Sequence, residues 1–130
     1  MIATSAVAVS MVSLAFTLVQ QPKPWAVPEK NAKTANAVKS SKESISEGKA
    51  LWTMNCASCH GKTGLGDGSK AAQLKTQPKD MTKSDVQSQS DGSIYYKIAE
   101  GRDDMPSFKK KIPESEDIWN IVNYIRTLKK

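Results

Sequence analysis

The feature that constrains this chain most is the pentapeptide Cys56-Ala57-Ser58-Cys59-His60, which holds both cysteines and the only histidine among 130 residues. Side chains three residues apart on a helical turn face the same way, so both thiols would point to one side of the backbone. The imidazole follows directly. All the cysteine and histidine ligands of the chain therefore lie within five residues, and the fold has to accommodate what binds there.

This spacing is the Cys-x-x-Cys-His pattern of covalent haem attachment. The thiols of Cys56 and Cys59 would add to the two vinyl groups of one haem, and His60 would bind the iron as its proximal ligand. A domain of this size buries only about 60% of its unfolded surface, so a large group at its centre would also help the core. The sequence predicts one covalent haem c per chain.

Three other uses of the pentapeptide have to be compared with haem attachment. A structural zinc site needs four good ligands, and the chain has no second ligand pair. A thioredoxin-like redox pair is expected near a strand-helix-strand pattern, whereas the surroundings here indicate helices. A disulfide between Cys56 and Cys59 stays open, although it would close a very small loop and stabilise little.

An iron bound by His60 has a sixth position, and the methionines are the candidates for it because no second histidine exists. Met105 is the predicted ligand, since Pro106 fixes the backbone directly after it in a loop without helix signals. Met81 is the second candidate, and an open sixth position is the third possibility. Either methionine could instead fill a gap in the core, which is the commoner use of this residue.

Residues 1–20 are predicted to be a transmembrane anchor or a signal peptide. Residues 2–19 carry no charge, and as a helix they would be about 27 Å long, near the lower limit for crossing a bilayer. Lys23 and Trp25 are typical of a membrane interface and favour an anchor. A signal peptide would normally begin with a basic residue, which is missing here.

The rest of the chain divides at residue 43. Residues 21–43 are rich in Pro, Lys and Ala and are predicted to be a flexible tether, with a reach on the order of 25 to 30 Å. Residues 44–130 have spaced apolar residues and charges of both signs, and they are predicted to be the haem domain. Because strongly alternating segments are absent, the fold class is predicted to be all-α.

Three main helices are expected in this domain. The first covers residues 46–58 with Ser44 or Ser46 as its cap, and the second covers residues 92–100, starting from Ser90 or Asp91. Ser115 is expected to cap the third. Its apolar residues recur at helical spacing: Ile118, Ile121, Val122, Ile125 and Leu128.

The glycines at positions 64, 66 and 68 follow the pentapeptide closely. A phosphate-binding loop would need a preceding strand and a following Gly-Lys-Ser/Thr, and neither is present. A tight backbone path leaving the haem edge is the better interpretation.

Residues 46–130 resemble a mono-haem class I cytochrome c. The resemblance lies in three stretches, EGKALWTMNCASCHGKTGLGDG, GSIYYKIAEGRDDMPSF and EDIWNIVNYIRTL, which follow one another in the order of that family. It implies a compact helical fold in which the first and last helices cross near the haem edge. Gly48 and Trp52 would form that crossing with Ile121 and Tyr124.

The same resemblance implies that the carbonyl of Pro78 accepts a hydrogen bond from the free nitrogen of His60, which would raise the basicity of the ligand. It also implies haem attachment after export. We therefore expect the haem domain on the periplasmic or outer face of a membrane, with a soluble periplasmic protein after signal cleavage as the alternative. The basic residues after the apolar span would favour the opposite orientation, so this expectation rests on the haem chemistry.

The expected function is one-electron transfer between membrane redox complexes rather than enzymatic catalysis. A fixed haem subunit of a larger membrane oxidoreductase complex is the main alternative, and a haem peroxidase or gas-binding protein with an open sixth site is the weaker one. The net charge of +6 lacks the dense basic patch with aromatics that nucleic-acid binding requires. The lysines that could steer acidic partners are Lys62, Lys109, Lys110 and Lys111.

Overall fold

The computed structural model describes residues 23–130, which form helices joined by loops. The helices are α1 (Glu29–Ala32), α2 (Lys42–Asn55), α3 (Ala57–His60), α4 (Ser84–Gln87), α5 (Asp91–Glu100) and α6 (Ser115–Thr127), with a 3₁₀ turn at Ala71–Gln73. Residues 23–130 contain no β-strand, and the one isolated bridge joins Arg102 and Met105. The predicted all-α fold with three main helices, α2, α5 and α6, is confirmed.

The central packing contact is the crossing of α2 and α6. A Cβ on Gly48 would overlap the carbonyl oxygen of Asn120 and lie 2.5 Å from its carbonyl carbon, so only glycine allows the two helices to come this close. The rings of Trp52 and Tyr124 pack with their centroids 5.8 Å apart. The predicted crossing is confirmed, and the atoms nearest to an added Cβ on Gly48 belong to Asn120 and Tyr124.

Helix α2 begins earlier than the sequence predicts. Its N-cap is Ser41, whose side chain accepts a hydrogen bond from the backbone N–H of Ser44 at 3.1 Å. Ser44 itself is buried, and its hydroxyl donates to Asn120 at 2.7 Å. The expectation that Ser44 or Ser46 caps this helix is therefore wrong, because the Ser44 hydroxyl is used in the contact between helices.

The ends of the other two main helices agree with the sequence more closely. Ser90 caps α5 by accepting from the N–H of Ser93 at 3.2 Å, and the helix ends at Gly101, where φ is +69°. Ser115 is the first residue of α6 rather than its cap. The N-cap position is held by Glu114, whose side chain makes no capping hydrogen bond. Acidic residues in the first turn suit the positive end of the helix dipole.

Residues 23–43 differ from the predicted flexible tether. Helix α1 packs against α5, and Ser90 donates a hydrogen bond to the carbonyl of Ala32 at 2.6 Å. Asn36 donates to Asn123 of α6 at 2.8 Å, and Asn123 donates to the carbonyl of Val38 at 3.1 Å. This segment, called the N-terminal arm below, is therefore bound to the helical domain instead of hanging free from it.

The predicted anchor or signal peptide at residues 1–20 lies outside the described residues. Within residues 23–130, no helix has the length and apolar character needed to cross a membrane.

Candidate haem-attachment site

The Cys-x-x-Cys-His segment forms a helical turn directly after α2. Cys56 is the residue between α2 and α3, and its carbonyl accepts from the N–H groups of Cys59 and His60 at 3.1 and 2.9 Å. The two thiols thus stand at the ends of one turn, as the sequence predicts. Both are free, so the disulfide that the sequence left open is not formed in the structure.

The thiol of Cys56 has an environment unlike that of a redox cysteine. Cys56 is only 8% exposed, and its burial raises the pKa of this thiol to about 12, although the charge of Lys111 opposes the change. Reactive Cys-x-x-Cys pairs depend on a lowered thiol pKa. The thioredoxin-like alternative is therefore disfavoured by the site itself.

The imidazole of His60 lies against the core. Its ring centroid is 5.6 Å from that of Trp52, whose indole N–H donates to the carbonyl of Gly61 at 3.0 Å and so fixes the turn after the histidine. Burial lowers the pKa of His60, and the backbone of Lys79 offsets part of this lowering. The imidazole is therefore held towards its neutral form, which is the form that binds metals.

The two ring nitrogens of His60 are distinguished by the burial of Nδ1. Among the described residues, Nδ1 of His60 is the one buried side-chain nitrogen or oxygen without a hydrogen-bond partner. A buried polar atom of this kind calls for an explanation. Because Nδ1 is buried, Nε2 is the nitrogen available to bind iron.

The hydrogen bond expected between Pro78 and His60 is not formed in the structure. The carbonyl oxygen of Pro78 instead faces Gly66, where an added Cβ would lie 2.5 Å from it. The backbone of the next residue, Lys79, raises the pKa of the imidazole. It does not form a hydrogen bond with Nδ1. In this structure the carbonyl oxygen of Pro78 is therefore not the partner of His60, and no other hydrogen bond to Nδ1 takes its place.

The glycine-rich loop folds back onto the attachment turn. The N–H groups of Gly66 and Gly68 donate to the carbonyls of His60 and Cys59 at 2.8 and 3.1 Å, and that of Lys70 donates to Ser58 at 2.8 Å. Gly66 has a φ of +80°, a conformation that other residues rarely adopt. The interpretation as a tight backbone path, rather than a phosphate loop, agrees with these contacts.

Met105 is carried by a closed loop after α5. Its N–H donates to the carbonyl of Arg102 at 2.9 Å, and the N–H of Arg102 donates back to Met105 at 2.8 Å. Between them, Asp103 has a φ of +54°, which is unusual for a residue with a side chain. The half-buried side chain of Met105 packs on the core cluster that includes Cys56.

The other two methionines of this region have different surroundings. The N–H of Met81 donates to the carbonyl of Gly64 at 2.6 Å, and a Cβ on Gly64 would lie 3.1 Å from the Cβ of Met81 and 2.7 Å from Leu128. Met81 is therefore packed between the glycine-rich loop and the end of α6. Met54, by contrast, is 70% exposed.

Sequence reasoning missed a second connection of the Met105 loop. The carboxylate of Asp104 accepts from the backbone N–H of Thr76 at 2.8 Å, which ties this loop to the segment that leads to Pro78. The available signal was an acidic residue directly before Met105 in a loop without helix signals.

These residues fit a covalent haem. They provide two free thiols on one turn, a half-buried imidazole directly after them, and a thioether on a closed loop that packs on the same core. Residues 23–130 bring together no group of three or more His, Cys, Asp or Glu side chains of the kind that holds a metal ion.

Comparison with known proteins gives one family and several relatives. The family model described as "Cytochrome C oxidase, cbb3-type, subunit III" matches residues 43–125. The chain is 30% identical to cytochrome c6 from Alaria esculenta over 83 residues, which are 64% of this chain and 90% of the relative. It is also 30% identical to cytochrome c6 from Bumilleriopsis filiformis over 81 residues, which are 62% of this chain and 87% of the relative.

Two solved structures have the same fold. The KustC0563 c-type cytochrome superposes with a TM-score of 0.56 at 28% identity, over 64% of this chain and 98% of that one. A chain of the Kuenenia stuttgartiensis reducing HAO-like protein complex Kustc0457/Kustc0458 superposes with a TM-score of 0.64 at 21% identity. That match covers 86% of this chain but 53% of the other, so this chain spans about half its length and the likeness concerns the fold alone.

The family match includes the attachment turn and most of the residues that form the core. Cys56 and Cys59 fit the Cys-x-x-Cys-His motif through which such proteins bind haem. The chain therefore belongs to the cytochrome c family, whose members bind haem c covalently and transfer electrons.

Proposed function

We propose that this protein is a one-electron carrier in which Cys56 and Cys59 hold the haem and His60 and Met105 bind the iron from its two sides. The observation that carries the proposal is the helical turn that holds two free thiols and the half-buried imidazole of His60 side by side. When bound, the haem supplies an iron that exchanges one electron between Fe(III) and Fe(II).

The residues of the chain limit what this iron can do. With His60 on one side and Met105 on the other, no position remains for a substrate, so peroxidase or gas-binding chemistry is disfavoured. A thioether is a soft ligand that favours Fe(II), and His/Met ligation raises the reduction potential. The two backbone hydrogen bonds between Arg102 and Met105 would keep this loop in one geometry in both oxidation states.

The proposed partners are membrane redox complexes or other electron donors and acceptors. Lys111 lies close enough to Cys56 for its charge to lower the pKa of that thiol, which supports a place for this exposed lysine at the rim of the attachment site. Lys109 forms an ion pair with Glu100, which reduces the charge that it presents to a partner. Lysines near the haem would steer acidic partners by weak, salt-sensitive attraction.

A fixed haem subunit of a larger complex is the second candidate. It is favoured by the family model, which is described as subunit III of a cbb3-type cytochrome c oxidase. A mobile carrier and a fixed subunit would use the same haem ligands, so they differ in partners rather than in the site. Stable copurification with other redox subunits would distinguish the fixed subunit from a carrier.

We place the haem domain on the periplasmic or outer face of a membrane, where haem is attached after export. Residues 1–20 are proposed as its anchor, with a cleaved signal peptide and a soluble periplasmic protein as the alternative. The support for this proposal is the uncharged run over residues 2–19.

Carbon monoxide tests whether the iron is coordinated on both sides. We expect the absorption spectrum of the reduced protein to stay unchanged when carbon monoxide is added, because Met105 occupies the sixth position. The same sample unfolded in denaturant serves as the positive control, since there the methionine is released. Ready binding to the folded protein would contradict a coordinated sixth position and favour a gas-binding or peroxidase function.

A further inference from the structure

The N-terminal arm follows α5 over much of its length. At the start of α5, a Cβ on Gly92 would lie 2.7 Å from the carbonyl oxygen of Thr34 and would overlap that of Asn31. The arm and this helix thus touch backbone to backbone, which only glycine permits. Asn36 also contacts this end, where its side-chain amide lies 3.4 Å from a carboxylate oxygen of Asp91.

At the other end of α5 the arm reaches the Met105 loop through Trp25. The guanidinium carbon of Arg102 lies 4.8 Å from the centroid of the Trp25 ring, and the ammonium of Lys97 lies 5.6 Å from it. Arg102 also donates to the backbone carbonyl of Lys23 at 3.2 Å. Both cations lie within the distance at which an aromatic ring attracts a positive charge.

Arg102 connects this contact to Met105. Its backbone exchanges two hydrogen bonds with Met105, at 2.8 and 2.9 Å. Its side chain, held by Trp25 and Lys23, also pairs with Asp103 at 3.2 Å. One residue of the loop therefore binds the arm with its side chain and Met105 with its backbone.

We propose that the N-terminal arm positions Met105 as an iron ligand, with Trp25 and Arg102 as the positioning residues. The inference rests on the proposed function, in which Met105 binds the iron. The arm restrains the Arg102 side of the loop, while Asp104 restrains the other side through Thr76. Releasing the arm would leave Met105 able to bind but easier to displace.

The arm lies almost entirely outside the part of the chain that matches the family, which begins at residue 43. The core residues and the attachment turn all follow that point. A change at Trp25 therefore leaves the core and the attachment turn intact, and the variant is expected to fold and bind haem.

Imidazole titration of the oxidised, full-length holoprotein tests the inference, because imidazole competes with Met105 for the iron. We expect Trp25→Ala to bind imidazole about five- to tenfold more tightly than the natural protein. The variant lacks the ring on which Arg102 and Lys97 stack, so the loop is easier to open. Trp25→Phe keeps an aromatic face and is expected to restore most of the natural affinity.

Asn36→Ala is the matched control. It removes a contact of the same arm with Asn123 of α6 at 2.8 Å, beside the start of α5, whereas Trp25 contacts Arg102 after the end of α5. We expect this variant to lower the unfolding midpoint but to leave the imidazole affinity unchanged. Equal effects of Trp25→Ala and Asn36→Ala on imidazole affinity would show a general loss of stability and overturn the inference.

Met105→Ala separates failure of the inference from failure of the proposed function. If it binds imidazole much more tightly while Trp25→Ala is unchanged, the arm does not position the ligand and the inference alone falls. If Met105→Ala is itself unchanged, Met105 is not the ligand and both proposals fall. Should Trp25→Ala yield no holoprotein, Arg102→Gln removes the cation that contacts the Trp25 ring and leaves the backbone of the loop unchanged, and unchanged imidazole affinity in it would equally overturn the inference.

Discussion

Replacing Met105 by Ala is expected to open the sixth coordination position of the iron. The reduced variant should bind carbon monoxide readily, because the alanine methyl group provides no ligand. The reduction potential should fall on the order of 0.1 V, a modest part of the roughly 0.8 V range that axial ligands set. Absorption spectroscopy with carbon monoxide and a potentiometric titration measure the two effects.

Met81→Ala is the control for this experiment. Met81 packs against Gly64 and lies beside Leu128, so its loss should lower stability while the spectrum and the potential stay those of the natural protein. If Met81→Ala opened the iron and Met105→Ala did not, Met81 would be the ligand. The closed loop between Arg102 and Met105 would then be only a structural turn.

Replacing Gly48 by Ala is expected to cause a large loss of stability. The added Cβ would overlap the carbonyl oxygen of Asn120 and lie 3.0 Å from the Cβ of Tyr124. Since the clash is with the backbone of α6, it is relieved only by moving the two helices apart. We expect the free energy of unfolding to fall by about 3 kcal/mol, at the upper end of overpacking effects, as measured by denaturant unfolding followed by circular dichroism.

Ser46→Ala provides the comparison within the same helix. Ser46 is exposed in α2, so this change should alter the free energy of unfolding by no more than about 0.5 kcal/mol. A Gly48→Ala variant as stable as Ser46→Ala would contradict the close crossing of α2 and α6.

The features that the sequence predicted correctly are those fixed by local patterns. The attachment turn depends on five consecutive residues, and the apolar spacing of α6 places Ile121, Val122 and Ile125 in the core. The start of α2 could not be chosen in the same way, because the segment offers several serines as caps. The contact of Ser44 with Asn120, 76 residues away, decides which serine is left to cap the helix.

The N-terminal arm was misjudged because much of its attachment depends on backbone carbonyls rather than on a pattern of apolar residues. Its composition suits a linker, yet its backbone carbonyls accept hydrogen bonds from Ser90, Arg102 and Asn123. Every residue has a backbone carbonyl, so composition does not show which ones will be used. The direction of the Pro78 carbonyl is likewise set by how the glycine-rich loop packs against it, and composition does not show this.

The most direct test of the central claim is mass spectrometry of the peptide that contains residues 56–60, taken from protein matured in a host that exports it and attaches haem. We expect this peptide to carry the mass of one haem after denaturation, because Cys56 and Cys59 would hold the group through thioether bonds. An unmodified peptide with two free thiols would contradict covalent haem attachment, and the proposed electron carrier with it.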